Sequence, residues 1–168
     1  IGKSLGVQVS VYRGGEEETG YIDSDSEYFN LINIARIKNT SIRDEYDTDL
    51  YSDDMDYNLV EIIEAELNNY KKSFALYDFT DMIEKFIGSE LCPKFDVVFI
   101  DEAQDLSPIQ WKMYDIIKQN TKMMILAGDD DQAIYGWAGA DVKRFQDEPA
   151  KEKILPKSYR VPIRVQQV

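Results

Sequence analysis

The sequence predicts an α/β protein in which a parallel sheet flanked by helices follows a mainly helical N-terminal subdomain. Three observations carry that expectation. Two short apolar runs, Val97-Val98-Phe99-Ile100 and Met123-Met124-Ile125-Leu126-Ala127, end in acids, at Asp101-Glu102 and at Gly128-Asp129. Between them, Ser107-Pro108-Ile109-Gln110 combines an N-cap serine, a proline at the first helical position and a glutamine at capping-box distance. Upstream of residue 90 the apolar residues recur mostly at helical spacing.

Taken in order, Leu5 to Tyr12 alternates Val7, Val9 and Val11 with polar residues and predicts an edge strand, ended by Gly14-Gly15. Ser24-Asp25-Ser26-Glu27 has capping-box spacing, and Tyr28, Leu31, Ile32 and Ala35 then share one helical face over about three turns. Asp44 to Asp56 reads as an acidic loop without the central glycine and closing glutamate of a calcium loop. Val60, Ile63, Leu67 and Tyr70 mark a helix from Tyr57 to Lys72. Asp78 is the expected N-cap of another, Phe79 to Ile87, striped by Phe79, Met82, Ile83, Phe86 and Ile87 and terminated by Gly88. Pro93 then breaks the chain, which places a boundary near residue 90 between parts 1–90 and 91–168.

In the second part, each apolar run is short and unbroken, as in a strand buried on both faces. Ile109, Met113, Ile116 and Ile117 give the intervening helix its buried side. Strand, helix and strand form a βαβ unit, which brings both acid clusters to one sheet edge, where open α/β sheets place ligands. Ile154-Leu155 is a weaker third strand candidate before Pro156.

Composition narrows the chemistry. The 168 residues are 43% hydrophobic and 12% aromatic, which is the composition of a folded chain. No run approaches the roughly 18 apolar residues of a membrane span, so no membrane partner is expected. One cysteine, Cys92, excludes an internal disulfide, and the absence of histidine disfavours a zinc site or a histidine-based triad. Any metal must then sit on carboxylates, which suits Mg²⁺. The net charge of −13 argues against a uniformly basic nucleic-acid face. It is unevenly spread, however: residues 1–90 hold 8 Lys and Arg against 20 Asp and Glu, and residues 91–168 hold 11 against 12.

Paired carboxylates at a strand end have a use in nucleotide hydrolysis, where one holds the Mg²⁺ on the phosphates and its neighbour orients or deprotonates the attacking water. Asp101 fits the first role and Glu102 the second, although two surface acids at a strand end need no function. The stretch Gly128 to Asp141, GDDDQAIYGWAGAD, adds an amide, Gln132, placed to sense a phosphate. Tyr135 and Trp137 follow between glycines, a setting suited to stacking on unpaired bases or, for Trp137, to packing between subdomains.

DEAQD at 101–105, GDDDQAIYGWAGAD at 128–141 and Lys157-Ser158-Tyr159-Arg160 resemble motifs II, III and IV of the UvrD/Rep-like superfamily 1 DNA helicases, in the same order. LYDFTDM at 76–82 resembles a segment these helicases carry before motif II. The wording is similar to that of bacteriophage and bacterial members. The resemblance implies a partial RecA-like motor domain 1A at 91–168, preceded by the helical insertion 1B. It further implies Mg²⁺ on Asp101, Glu102 as general base for ATP hydrolysis, and Gln132 touching the γ-phosphate and coupling it to DNA, with Gln104 and Asp105 supporting the site. Tyr135 and Trp137 would stack on single-stranded bases, Tyr159 on adenine, and Arg160 would meet the γ-phosphate. Ala138 stands where many relatives carry arginine, and Ser158 where many carry asparagine.

The phosphate-cradling loop GxxxxGK[ST] is absent from the 168 residues; Gly2-Lys3-Ser4 mimics only its tail. The expectation is a fragment of a cytoplasmic, ATP-dependent helicase of a bacterial or phage-infected cell that moves 3′ to 5′ on single strands and opens duplex junctions. Such a fragment is expected to be inactive alone and to need a P-loop segment and a second motor domain from the rest of the helicase. Two other readings remain: a two-metal nuclease built on Asp101, Glu102 and Asp129 to Asp131, and a non-enzymatic single-strand-binding module.

Overall fold

A computed structural model describes residues 24–48, 50–51 and 55–155 of the chain. The strand expected at Leu5 to Tyr12, Gly2-Lys3-Ser4, Tyr159 and Arg160 lie outside the described residues. The element order is α1 (Ser24–Lys38), α2 (Ile42–Tyr46), α3 (Tyr57–Ser73), α4 (Phe79–Ser89), β1 (Phe95–Ile100), α5 (Pro108–Gln119), β2 (Thr121–Leu126) and α6 (Val142–Gln146). Short 3₁₀ turns occupy Ala103–Asp105, Asp130–Gln132 and Gly136–Ala138. The class is therefore α/β, with a parallel strand pair flanked by helices. No helix among the described residues is long and apolar enough to cross a membrane.

The helical part has its own core. Leu31, Ile32, Met55, Val60 and Ile63 cluster with less than a tenth of their surface exposed, and Tyr28, Tyr46 and Tyr57 pack against them. Ala35, on the predicted face of α1, is fully buried. The acidic stretch from Asp44 is not all loop, because Ile42–Tyr46 is helical and capped by Ser41, whose Oγ accepts from the Asp44 N–H at 3.0 Å. Glu45 is buried there: Lys38 Nζ donates to its two oxygens at 2.8 and 3.0 Å, and the Tyr51 hydroxyl donates at 3.1 Å. Composition alone made this stretch look solvated, whereas the cation from the end of α1 makes burial of one acid affordable.

A second charged cluster ties α1, α3 and α4 together. Arg36 pairs with Asp78, Asp81 and Glu84, while Lys71 pairs with Asp78 and Asp81. Asp78 and Asp81 also close a reciprocal capping box at the start of α4. Burial raises the Asp78 carboxyl, but hydrogen bonds from Lys71, the Asp81 backbone and Arg36 outweigh it and hold the group below the usual carboxylate range.

Helix α4 departs from its expected end and from its expected burial. It runs through Gly88 to Ser89, and Glu90 takes the left-handed cap conformation with φ 55°. Ser89 replaces the glycine signal, since its Oγ donates to the Phe86 carbonyl at 2.9 Å and accepts from the Leu91 N–H at 3.2 Å. Within the apolar stripe, Ile83, Phe86 and Ile87 are half-buried, but Phe79 and Met82 are exposed.

The strands pair in parallel, Phe95 opposite Thr121 and Ile100 opposite Leu126. They are not buried on both faces. Val98, Ile100, Met124 and Leu126 are half-buried, whereas Val97, Phe99, Met123 and Ile125 are exposed, Phe99 by 74%. Among the described residues the sheet has two strands, and α5 packed against β2 covers one parity of side chains but not the other. Ile154 and Leu155, the weaker strand candidate, are exposed and in no strand.

Helix α5 begins as its motif predicts. Pro108 opens it, and Gln110 Oε1 accepts from the Ser107 N–H at 2.8 Å and Oγ at 3.0 Å. Helix α6 is clamped onto it through Glu148, which accepts from the Tyr114 hydroxyl at 2.8 Å and also from Lys118 and Arg144. Arg144 additionally pairs with Asp115 at 3.0 Å and lies over the Trp111 ring. Burial raises the Glu148 carboxyl, yet the bonds from Lys118, Tyr114 and Arg144 outweigh it and hold the group below the ordinary glutamate range.

Two measurements follow from this architecture. The purified 168-residue chain should bind a hydrophobic dye and self-associate with concentration, and Val97→Thr with Phe99→Thr should reduce both without loss of helical circular dichroism. Dye binding unchanged in that double variant would place the exposed apolar surface elsewhere. Because Glu148 is ionised more readily folded than unfolded, its contribution is present at neutral pH and is lost as pH falls below the ordinary glutamate range. Glu148→Gln should therefore cost roughly 1 to 3 kcal/mol in urea unfolding at pH 7, and the difference from the parent should shrink below about pH 4.

Candidate active site at the strand ends

The site is built where β1 and β2 leave the sheet together. Pairing continues one step past the strands: the Ala127 N–H donates to the Ile100 carbonyl at 2.8 Å, and the Ala103 N–H to the Ala127 carbonyl at 2.9 Å. The two outgoing loops are thereby fixed side by side.

Asp101 and Glu102 are both exposed at this edge. Asp101 Oδ1 accepts from the Glu102 N–H at 3.0 Å, and Glu102 holds the left-handed conformation with φ 52°. A side chain in that region costs about 1 to 2 kcal/mol, so surrounding contacts must hold it there.

Gln104 lies directly behind Glu102 and is 1% exposed. Its Nε2 donates to Glu102 Oε2 at 2.9 Å and, more weakly, to Asp105 Oδ2 at 3.4 Å. Its Oε1 accepts from the Asp129 N–H at 3.1 Å. The orientation is fixed by chemistry, since the opposite amide rotamer would set oxygen against carboxylate and NH₂ against N–H. With its amide engaged inside the protein, Gln104 has no open face for a nucleotide.

The second loop is organised by Asp129. Its Oδ1 accepts from the Asp131 N–H at 3.2 Å, and its Oδ2 accepts from Gln132 Nε2 at 2.5 Å. Gln146 Nε2 donates to Asp130 Oδ2 at 2.8 Å, which ties the turn to α6. Gly128 is required by space: a Cβ there would lie 2.6 Å from Gln104 Oε1 and 2.8 Å from Phe145 Cζ.

Tyr135 is 46% exposed, and the turn Gly136–Ala138 carries Trp137, whose side chain lies outside the described part. Gly139 follows with φ +94°, and a Cβ on it would come within 3.1 Å of Ile37 Cγ2. The loop returns to the acid turn, where the Asp141 N–H donates to the Leu106 carbonyl at 2.9 Å.

The structure thus connects Glu102, Gln104, Asp129 and Gln132 through hydrogen bonds, with Asp101 one residue away and Tyr135 further along the second loop. Sequence reasoning gave Asp129 only to the nuclease alternative and missed Gly128 and Phe145. The strand-closing Gly-Asp pair was a signal for the first two; Phe145 had none. A two-metal nuclease needs several carboxylates converging on one point, and among the described residues no three metal-ligating side chains do so. An exposed carboxylate such as Asp101 at the strand end would suit Mg²⁺ held largely by water and phosphate, because that ion is bound by one or two protein carboxylates.

The profile of the UvrD/REP helicase N-terminal domain matches residues 21–152. The chain is 38% identical over 71 residues to DNA helicase II of Haemophilus influenzae, covering 40% of this chain and 10% of that protein. It is 33% identical over 88 residues to the ATP-dependent DNA helicase Rep of Buchnera aphidicola, covering 47% and 13%. It is 35% identical over 100 residues to the RecBCD enzyme subunit RecB of another Buchnera aphidicola strain, covering 53% and 8%. The aligned part spans about a tenth of the length of these relatives. The acid turn, the Gln132 loop and the helices that carry them all fall within the matched residues, and the chain belongs to the UvrD/REP helicase N-terminal domain family.

Proposed function

We propose that this chain supplies the acid half of an ATP-hydrolysing site, together with a contact for single-stranded DNA, to an ATP-dependent DNA helicase. The observation that carries the reading is the hydrogen-bonded path from Glu102 through Gln104 and Asp129 to Gln132, which joins the candidate base to the candidate phosphate sensor at one sheet edge.

Glu102 takes the proton of the attacking water, from an exposed position held by the turn that Asp101 caps. Asp101 holds Mg²⁺, and that ion supplies charge neutralisation on the phosphates when bound. Gln132 meets the γ-phosphate. Gln104, by its burial, positions Glu102 rather than touching nucleotide. Tyr159 on the adenine and Arg160 on the γ-phosphate complete the reading from beyond the described residues. Tyr135 and Trp137 stack on unpaired bases. The motor moves 3′ to 5′, opens duplex junctions and works in the cytoplasm. Phosphate binding by a GxxxxGK[ST] loop and a second motor domain come from the rest of the helicase.

The isolated 168-residue chain should then release no phosphate from ATP above background, with or without single-stranded DNA. In the full-length protein, Glu102→Gln should lower DNA-stimulated kcat by about 10² to 10⁴ while ATP still binds; parental turnover in that variant would sink the assignment of the base. Trp137→Ala and Tyr135→Ala should each weaken single-strand binding by roughly 1 to 3 kcal/mol, read by anisotropy of a labelled oligonucleotide at fixed salt. Equal affinity in both variants would remove these rings from the DNA contact.

A further inference from the structure

Residues 104 and 106 of the acid turn hold both ends of the 129–141 loop: Gln104 Oε1 takes the Asp129 N–H, and the Leu106 carbonyl takes the Asp141 N–H. Between those anchors lie Gln132 and the Tyr135–Trp137 segment. Of the two anchors only Gln104 acts through its side chain, and the other end of the same side chain holds Glu102 Oε2 at 2.9 Å.

We infer that Gln104 is the positioning residue through which DNA on the 129–141 loop and nucleotide at Glu102 affect each other. This rests on the function proposed above. A buried primary amide costs free energy unless bonded, and an apolar side chain of the same shape would fill the space without that cost. Here every bond the amide makes is to a residue of the acid turn or of the second loop, and none is to the surrounding core. The amide is rigid, so displacement of the Asp129 N–H turns the NH₂ end against the Glu102 carboxylate. Gly128 removes the slack: with the Gln104 oxygen pressed where a Cβ would stand 2.6 Å away, the two loops meet without a compressible layer between them. Asp129 extends the path to Gln132 through a 2.5 Å bond.

Coupling of this kind is reciprocal, so it is read from binding without turnover. In the full-length protein, the Kd of a fluorescent oligodeoxythymidine is measured with and without a non-hydrolysable ATP analogue, and the Kd of the analogue with and without the oligonucleotide. The parent should show the same ratio both ways, about 5-fold or more. In Gln104→Met the ratio should collapse towards 1 while each ligand alone still binds. Gly128→Ala, which disturbs the same contact from the other side, should do likewise, and it serves in place of Gln104→Met should that variant fail to fold by circular dichroism. Gln104→Glu keeps an acceptor for Asp129 but loses the donor to Glu102, and it should also abolish the coupling. A parental ratio in folded Gln104→Met or Gly128→Ala overturns the inference and leaves the helicase reading standing. A parent protein that binds neither ligand overturns both.

Discussion

Parallel pairing with Ile100 opposite Leu126 is the constraint on which the rest of the site depends. Strands that leave a sheet in the same direction at the same level must send their loops out side by side. The acid turn and the Asp129 turn then lie close enough for one glutamine to bridge them. A slip of one residue would reverse which side chains face α5 and would also carry Asp101 away from Asp129. The site follows from register before any of its side chains is considered.

Local signals were legible because each is settled within a few residues. The Ser107-Pro108-Ile109-Gln110 start of α5 and the Asp78 cap of α4 depend only on groups within one turn, and the face of α1 is set by the spacing of its own apolar residues. Strand burial was not legible in this way. An unbroken apolar run says that both faces suit a core, but not that both are covered, and among the described residues only the Val98 and Met124 parity finds a partner. Glu45 shows the same limit from the polar side. Within an acidic stretch nothing distinguishes it from Asp44, and only the arrival of Lys38 decides that it goes inside.

Charge is organised by local neutralisation rather than by net balance. In the helical part, Arg36 and Lys71 face three acids, and Lys38 answers Glu45. In the α/β part, Lys118 and Arg144 converge on Glu148. Asp101 and Glu102 have no ion pair among the described residues. Asp101 and Glu102 are thus open to a cation or a water, while Arg36, Lys38, Lys71 and Lys118 are engaged at joints between helices.

The left-handed conformation is demanded at two points of the site, and the chain meets it in two ways. At 139 the backbone turns with φ +94° against Ile37, no side chain is needed, and glycine fills the position without strain. At 102 the turn has φ 52°, glycine would again be the least strained choice, and a glutamate is present instead. Its cost is offset by three contacts: Asp101 Oδ1 on its N–H, Gln104 Nε2 on its carboxylate, and the Ala103 N–H on the Ala127 carbonyl. A strained residue held from three sides has little freedom to wander, which suits a base that must meet one water in one place. The same tethering exposes it to its neighbours, because any movement of the Ala127–Asp129 segment reaches Glu102 through two of those three contacts.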